Sequence, residues 1–167
     1  MVKHRMLPMA DANVGEVLGL VEIINAYGCK AKISFLADEL RIQLDHLGPV
    51  LEMAEALHLV KIKNGEAELT LYGEALNLGT IDNKKEVLRK QLTKLDPFKT
   101  VLSILKKTGP TTRKELIEKL RRAYGMIIED EQRFHKLLLG WGGYAEVVEY
   151  NGVKQTFELA HIENKSK

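Results

Sequence analysis

The hydrophobic positions of the first third of the chain recur at helical spacing. Residues 14–28 are the first such segment, and Gly28 stands where a helix would end. Two more helices are expected: KISFLADELRIQ, with Ser34 as its N-cap, and LDHLGPVLEMAEALHL, which Asp45 can cap. Pro49 is expected in the first turn of this third helix, because a proline deeper in a helix costs about 3 kcal/mol. The apolar stripe of the third helix consists of Leu47, Val50, Leu51, Ala54 and Leu57.

The period then changes from helical to alternating. LVKIK (59–63) and EAELTL (66–71) flank Asn64-Gly65, and this arrangement predicts a two-stranded hairpin with a type I′ turn. A further short helix, YGEALNLG, follows the hairpin. Three helices followed by a hairpin is the order of a winged helix-turn-helix unit.

The same order then repeats, beginning with a linking helix over 81–95. The lysines of this helix are expected to face away from its apolar side, which consists of Ile81, Leu88, Leu92 and Leu95. The next helix is expected to begin with Asp96 as its N-cap and Pro97 as its first helical residue, and Gly109-Pro110 ends it. Its apolar stripe consists of Phe98, Val101, Leu102 and Leu105.

The rest of the second unit carries its own boundary signals. Thr112 and Glu115 form a capping box that opens RKELIEKLRRAYG, and Gly125 closes that helix. A third helix is expected over 129–140 and ends at a cluster of glycines. Its inward residues are Phe134, Leu137 and Leu138, and the glycines are Gly140, Gly142 and Gly143. Residues 145–150 and 153–160 flank a second Asn-Gly pair, Asn151-Gly152, and predict a second hairpin.

These elements predict a mainly α-helical protein of the α+β class. It consists of tandem winged-helix-like units, each with three helices and a two-stranded wing. Residues 1–80 form the first unit, 81–160 contain the linking helix and the second unit, and 161–167 are a frayed tail. The composition, 45% hydrophobic and 29% charged, is that of an ordinary globular protein.

Charge divides the chain in the same place. Residues 1–80 hold 7 Lys/Arg against 11 Asp/Glu, a net of −4, and residues 81–167 hold 18 against 12, a net of +6. This split indicates two units with different surfaces. Cys29 is the single cysteine of the sequence, which fits a reducing compartment and predicts a cytoplasmic protein.

The sequence lacks the usual motifs of catalysis. It contains no G-x-x-x-x-G-K-[ST] loop, no G-x-G-x-x-G and no G-x-S-x-G. The five histidines are not spaced as metal ligands, so no metal is expected. We therefore expect a protein that is not an enzyme and that has no catalytic residues and no cofactor.

DNA binding is the usual role of winged helices, and here the charges disfavour it. The third helix of each unit should meet the bases, yet both are acidic. The first exposes Asp45, His46, Glu52 and Glu55, and the second opens with Glu129, Asp130 and Glu131. These side chains repel phosphates, from which most DNA affinity derives.

Basic residues gather on two other helices. This pattern is compatible with a solvated face or with a docking surface for an acidic partner or anionic lipid headgroups. Trp141 and Tyr144 are interpreted as packing residues at the base of the second wing, with an exposed aromatic anchor as the alternative. The candidate partner surface consists of Lys84, Lys85, Arg89, Lys90, Lys94, Arg113, Lys114, Arg121, Arg122, Trp141 and Tyr144, with Lys119 beside them.

Several segments together resemble a known family. They are LPMADANVGEVLGLVEII, SFLADEL and ELTLYGEAL in the first unit, with QLTKLDPFKTVLSILKK and WGGYAEVVEYNGVKQTFEL in the second. They resemble the AAA-associated domain found C-terminal to the ATPase in nitrate/sulfonate/bicarbonate-type ABC transporter subunits, over about residues 8–160. The sequence contains no nucleotide-binding module of the kind that precedes this domain in the family, so ATP binding does not carry over. The resemblance implies an accessory part of a transport ATPase, either cut from a longer chain or encoded alone.

The resemblance implies a non-enzymatic regulatory or protein-interaction module of an ABC importer ATPase. Its expected partner is the ATPase or the permease subunit, which would hold the chain at the membrane through the transporter. The alternative is a DNA-binding transcriptional regulator with tandem winged helices, acting as a dimer. The sequence leaves self-association and small-ligand binding open.

Overall fold

The computed structural model describes residues 7–8 and 11–161. They divide into two compact units, Leu7–Gln91 and Leu92 onward. The described chain is mainly helical, with eight α-helices and two small antiparallel sheets, so the predicted α+β class is confirmed. The predicted tail lies outside the described residues except for His161.

The first unit contains the elements that begin between residues 14 and 81, the last of which ends at Leu92, one residue past the unit boundary. In chain order they are α1 (Val14–Ala26), β1 (Lys30–Lys32), α2 (Ile33–Leu40), α3 (Leu44–Ala56), β2 (Val60–Lys63), β3 (Glu66–Leu69), α4 (Leu71–Asn77) and α5 (Ile81–Leu92). The three strands pair antiparallel in the order β1-β3-β2. The expected hairpin is present as β2 and β3, and β1 adds to β3 as a third strand. The sequence did not predict β1, because three residues are too few to show alternation.

The first hairpin turn has the predicted form. Asn64 and Gly65 both have positive φ, 52° and 74°, and Lys63 pairs with Glu66 across the two-residue loop. Positive φ at both central residues is the type I′ geometry, which matches the twist of the strands. The prediction of a type I′ turn is confirmed.

Two predicted helix starts in this unit are wrong. Helix α2 begins at Ile33 after Lys32, so Ser34 lies inside the first turn and does not cap the helix. Helix α3 begins at Leu44 after Gln43, so Asp45 is also helical and Pro49 is the sixth residue of the helix. Pro49 has no N–H to donate to the carbonyl oxygen of Asp45, which is an exposed residue in the first turn of the helix.

The core of the first unit lies between α1, α3 and the inner face of the sheet. Helix α1 contributes Val17, Leu20, Val21 and Ile24, and every residue predicted for the stripe of α3 is buried. In the linking helix α5, Leu88 and Leu92 are buried as predicted, whereas Ile81 is exposed and does not belong to the apolar face.

The second unit repeats the topology of the first. Its elements are α6 (Phe98–Thr108), β4 (Thr111–Thr112), α7 (Arg113–Tyr124), α8 (Glu131–Leu137), a π-helix (Leu138–Gly142), β5 (Val148–Asn151) and β6 (Thr156–Leu159). The strand order is β4-β6-β5, which is the order of the first sheet. A short strand again adds a third member to the expected hairpin.

The start of α6 is displaced by one residue from the prediction. Pro97 is the N-cap and Phe98 is the first helical residue. The carboxylate of Asp96 still serves the helix, because it accepts hydrogen bonds from the backbone N–H of Thr100 (3.2 Å) and from its hydroxyl group (2.6 Å). Asp96 therefore caps the helix from the residue that precedes the N-cap.

The sequence predicted that glycines would break the third helix of this unit, but they do not. The chain continues from α8 into a π-helix that includes Gly140 and Gly142. A Cβ atom on Gly142 would lie 3.0 Å from the ring of Phe98 and 3.2 Å from Cβ of Val148. Gly142 thus permits close packing of the π-helix, and the expected inward residues Phe134, Leu137 and Leu138 are buried.

The second hairpin is present, but its turn differs from the predicted Asn-Gly turn. Asn151 is the last residue of β5 and pairs with Thr156, which leaves a four-residue loop over 152–155. The side-chain oxygen of Asn151 accepts hydrogen bonds from the backbone N–H groups of Val153 (3.1 Å) and Lys154 (3.0 Å). These two hydrogen bonds stabilise the four-residue loop.

No helix in the described ranges is both long enough and apolar enough to cross a lipid bilayer.

Candidate functional site

Helix α7 carries the densest group of basic residues in the second unit. Its capping box is confirmed, with Thr112 Oγ1 accepting from the backbone N–H of Glu115, and Gly125 ends it in the left-handed conformation. Leu116 and Leu120 are fully buried and fix the orientation of the helix in the unit. The other positions include five basic residues, of which Lys114, Lys119, Arg121 and Arg122 are exposed and Arg113 is half-buried.

One carboxylate on this helix serves two guanidinium groups. Glu118 Oε1 lies 2.7 Å from Nη2 of Arg121 and 2.5 Å from Nε of Arg122. The hydrogen bond from Arg121 lowers the pKa of Glu118 against the opposing effect of burial, and the two positive charges add to the decrease. Since two cations share one anion, the cluster keeps a net positive charge.

The other acidic residue of α7, Glu115, belongs to the capping box of the helix. Glu115 accepts from the backbone N–H of Thr112, and this hydrogen bond is the largest cause of its lowered pKa. Arg113 lies 3.8 Å from Glu131 at the start of α8. With five basic residues and two acids, Arg113–Tyr124 carries a net charge of +3. Arg121 and Arg122 keep 57% and 75% of their side-chain surface exposed.

The predicted basic residues are divided between the two units. The residues Lys84, Lys85, Arg89 and Lys90 lie on α5 in the first unit, and Lys94 belongs to the second. Lys90 pairs with Glu86 at 3.2 Å, and Lys84, Lys85 and Arg89 are half-buried. The cations of α7 therefore form the more exposed group.

The two aromatic candidates differ in exposure. Trp141, in the π-helix, is 2% exposed and belongs to the core of the second unit. Tyr144 is half-buried just beyond it. The burial of Trp141 leaves no side-chain surface for a partner, as the packing interpretation expects.

The acids of both third helices are exposed on the surface. Asp45, Glu52 and Glu55 of α3 all face solvent, as do the three acids at the start of α8, Glu129, Asp130 and Glu131. Some have local roles: Glu55 accepts from the backbone N–H of Ile62 (3.3 Å), and His46 binds Glu16 of α1. Asp130 caps α8 through the backbone N–H of Arg133 (3.0 Å). Exposed negative charge thus lies on α3 and around the start of α8, and α8 also exposes the basic residues Arg133 and Lys136.

Sequence reasoning missed a charged face on the sheet of the first unit. Two glutamates of the central strand β3 are each flanked by lysines of both neighbouring strands, in the rows Lys30–Glu68–Lys61 and Lys32–Glu66–Lys63. Lys30 also lies 3.2 Å from Glu66. A shallow groove of about 250 Å³ follows this face, lined by Lys30, Lys61, Lys63, Asn64, Glu66 and Glu68. Alternation of Lys and Glu along β2 and β3 was the signal in the sequence.

A half-buried histidine joins α8 to the second sheet. The ring of His135 makes edge contacts with Tyr150 (4.9 Å) and Phe157 (5.1 Å), and its Nδ1 is buried without a hydrogen-bond partner. Burial lowers the pKa of His135, and the positive charge of Arg113 lowers it further. His135 is therefore neutral near pH 7 and acts as a packing residue. The described residues hold no group of three or more His, Cys, Asp or Glu side chains arranged to bind a metal.

Residues 35–151 match the family described as "C-terminal AAA-associated domain", and the match takes in parts of both units. No curated protein and no solved structure matches the chain.

Proposed function

Since the chain belongs to the family of C-terminal AAA-associated domains, we propose that it is a regulatory, protein-interaction module of ABC importer ATPases of the nitrate/sulfonate/bicarbonate type. In this role it binds the ATPase or the permease subunit, is cytoplasmic, and is held at the membrane through the transporter. It influences the ATPase by contact and performs no catalysis of its own. The match over residues 35–151 is the observation that carries this proposal.

The fold supports an interaction role of a particular kind. Each unit has the order helix, short strand, two helices and hairpin, with the hairpin's second strand in the centre of the sheet. This is the arrangement of a winged helix, and we assign both units to it. Winged helices contact partners through exposed helices and wings, and among the described helices of this chain α7 carries the largest number of basic residues.

The partner surface that fits α7 is acidic. Arg121 and Arg122 project from a helix with a net charge of +3, and one shared carboxylate neutralises half of their charge. Exposed arginines of this kind contribute to protein association through complementary charge and bidentate hydrogen bonds to carboxylates. We assign the docking surface to the outward residues of α7, Arg113, Lys114, Lys119, Arg121 and Arg122.

Nucleic acid fits the molecule less well. The exposed acids of α3 and α8 lie where a winged helix meets base edges, and they add repulsion to every nearby phosphate. A duplex of mixed sequence should not bind at micromolar protein in about 50 mM salt, which fluorescence anisotropy can measure.

Capture from cells tests the proposal. The tagged chain, expressed in its native cells and purified at low salt, is expected to recover an ABC ATPase or its permease, identified by mass spectrometry. The control is the same tag on an unrelated domain of similar net charge. Recovery of no transporter subunit from cells that contain abundant ATPase would contradict the proposal.

A further inference from the structure

Strand β5 forms one edge of the second sheet, where the strand order is β4-β6-β5. Where the hairpin begins, the backbone N–H of Ala160 donates to the carbonyl oxygen of Val147 (3.1 Å). Hydrogen-bonded pairs alternate along an antiparallel ladder, so the backbone of Glu149 also bonds to β6. The N–H and C=O groups of Val148 and Tyr150 therefore point away from the sheet.

The equivalent edge of the first sheet, strand β2, is closed by a side chain. Glu55 of α3 accepts a hydrogen bond from the backbone N–H of Ile62 (3.3 Å), a donor that points away from β3. Two exposed lysines of β2, Lys61 and Lys63, are charged residues of the kind that discourage an edge strand from pairing with another chain. The edge of β2 is thus protected.

The turns that lead into β2 and β5 have the same backbone geometry. The N–H of Leu59 donates to the carbonyl oxygen of Ala54, and the N–H of Val147 donates to that of Gly142, both at 2.9 Å. The residue before each donor is in the left-handed region, with φ of 57° and 56°. Positions in the two turns and the strands that follow them can therefore be matched one by one.

Gly143 stands where the first unit has Glu55, because each residue follows the acceptor of its turn. Gly143 is exposed, its backbone is helical (φ −68°, ψ −46°), and a Cβ atom there would meet nothing within 4 Å. Tyr150 likewise corresponds to Ile62, and no residue of the described ranges accepts a hydrogen bond from its backbone N–H. The edge of β5 is therefore open where the edge of β2 is closed.

The side chains along β5 indicate what kind of segment would complete this edge. On the outer face of the sheet, Glu149 is exposed and lies directly opposite Glu158 of β6, so two carboxylates are neighbours. A residue of an added strand opposite Glu149 would lie on the same face, where a lysine or arginine is favoured over an acid. Val148 and Tyr150 lie on the inner face, so the residues opposite them would be apolar.

We propose that β5 binds an extended segment of a partner protein with the pattern apolar–basic–apolar, which adds to the sheet as a fourth, antiparallel strand. In this arrangement the two apolar residues exchange backbone hydrogen bonds with Val148 and Tyr150, and the basic side chain lies beside Glu149. The proposal does not rest on the transporter role, because the purified chain and a synthetic peptide are enough to test it.

A fluorescent peptide, Ser-Thr-Val-Lys-Val-Thr-Ser, titrated with the full chain tests the edge by fluorescence anisotropy. A short segment makes a small contact, so we expect a Kd on the order of 0.1–1 mM. A peptide methylated on both valine backbone nitrogens should not bind, because those N–H groups face β5. Methylation of the lysine backbone nitrogen, which faces solvent, should leave the affinity near that of the parent peptide. Equal binding of the two methylated peptides, or no binding of the parent peptide at about 2 mM chain, overturns the proposal.

Gly143→Glu tests the comparison between the two units. A glutamate at this position should cap the backbone N–H of Tyr150 as Glu55 caps that of Ile62, and should weaken peptide binding at least about tenfold. Charge alone would have the opposite effect, because an added carboxylate attracts the basic peptide. Gly143→Ala is the matched control and should bind the peptide like the wild type, and circular dichroism verifies both folds. Unchanged or tighter binding by Gly143→Glu would show that the edge of β5 is not the binding site.

Discussion

Gly73 shows why a residue without a side chain is required at one point of the first unit. A Cβ atom there would lie 2.1 Å from the backbone oxygen of Leu59, just before β2. That oxygen is already fixed, because it accepts hydrogen bonds from the backbone N–H of Thr70 (3.0 Å) and from its hydroxyl group (3.2 Å). The backbone of α4 and the start of β2 are therefore held in contact.

Replacing Gly73 with alanine should destabilise the protein. The added methyl group meets a backbone atom that cannot move without losing its hydrogen bonds, so we expect a loss of about 1–3 kcal/mol in the free energy of unfolding. The matched control is Gly19→Ala in α1, where a Cβ atom meets nothing within 4 Å. That change should stabilise the helix by up to about 1 kcal/mol. Urea denaturation measures both, and equal effects would contradict the packing described for α4.

For individual residues, the sequence identified the charged side chains of the surface but not the contacts that they make. The basic residues of α7 and the acids of α3 were identified from the sequence, and the structure confirms that the latter are exposed. Their pairing was not predicted, because the sharing of Glu118 by Arg121 and Arg122 depends on side-chain conformations that spacing does not determine. The packing role of Trp141 was expected from the sequence, but the π-helix that contains it was not, because the sequence carries no periodic signal for a π-helix.

Among the elements, α8 depends on a ring contact that responds to pH. His135 connects α8 with β5 and β6, and burial lowers its pKa below the ordinary 6.5. A histidine with a lowered folded-state pKa binds a proton more readily when the chain is unfolded. Stability is therefore unaffected well above pH 6.5 and decreases as the pH falls below 6.5 toward the lowered pKa.

Substitution of His135 isolates this effect. His135→Phe keeps an aromatic ring against Tyr150 and Phe157 but removes the titrating group, so unfolding stability should depend less on pH between 7 and 5 than in the wild type. Thermal unfolding at a series of pH values measures the difference. His161→Gln, at an exposed position, serves as the control and should keep the wild-type slope. An unchanged slope in His135→Phe would show that the ring is not a source of acid sensitivity.

Prediction of the elements succeeded where local chemistry determines the backbone. The Asn64-Gly65 turn and the Thr112–Glu115 capping box have the predicted geometry because each depends on a few adjacent residues. The second Asn-Gly pair failed as a turn because Asn151 uses its side chain to hold a longer loop. Strands β1 and β4 have three and two residues, and only pairing with a distant strand stabilises them.

For the whole molecule, the proposed protein partner rests on charge and on family membership together. The chain divides into two units with the same strand order, and the sequence charge is −4 before residue 81 and +6 from there on. The family match extends over parts of both units. We assign partner binding to the cationic helix α7.

The most direct test is the effect of charge reversal on capture of the transporter ATPase. Arg121→Glu with Arg122→Glu is compared with Lys61→Glu with Lys63→Glu, which makes the same change in charge on the exposed sheet face of the first unit. By quantitative mass spectrometry, we predict at least about a tenfold loss of ATPase recovery for the arginine pair and near wild-type recovery for the lysine pair. Equal recovery with both pairs, or a greater loss with the lysine pair, would contradict the assignment of docking to α7.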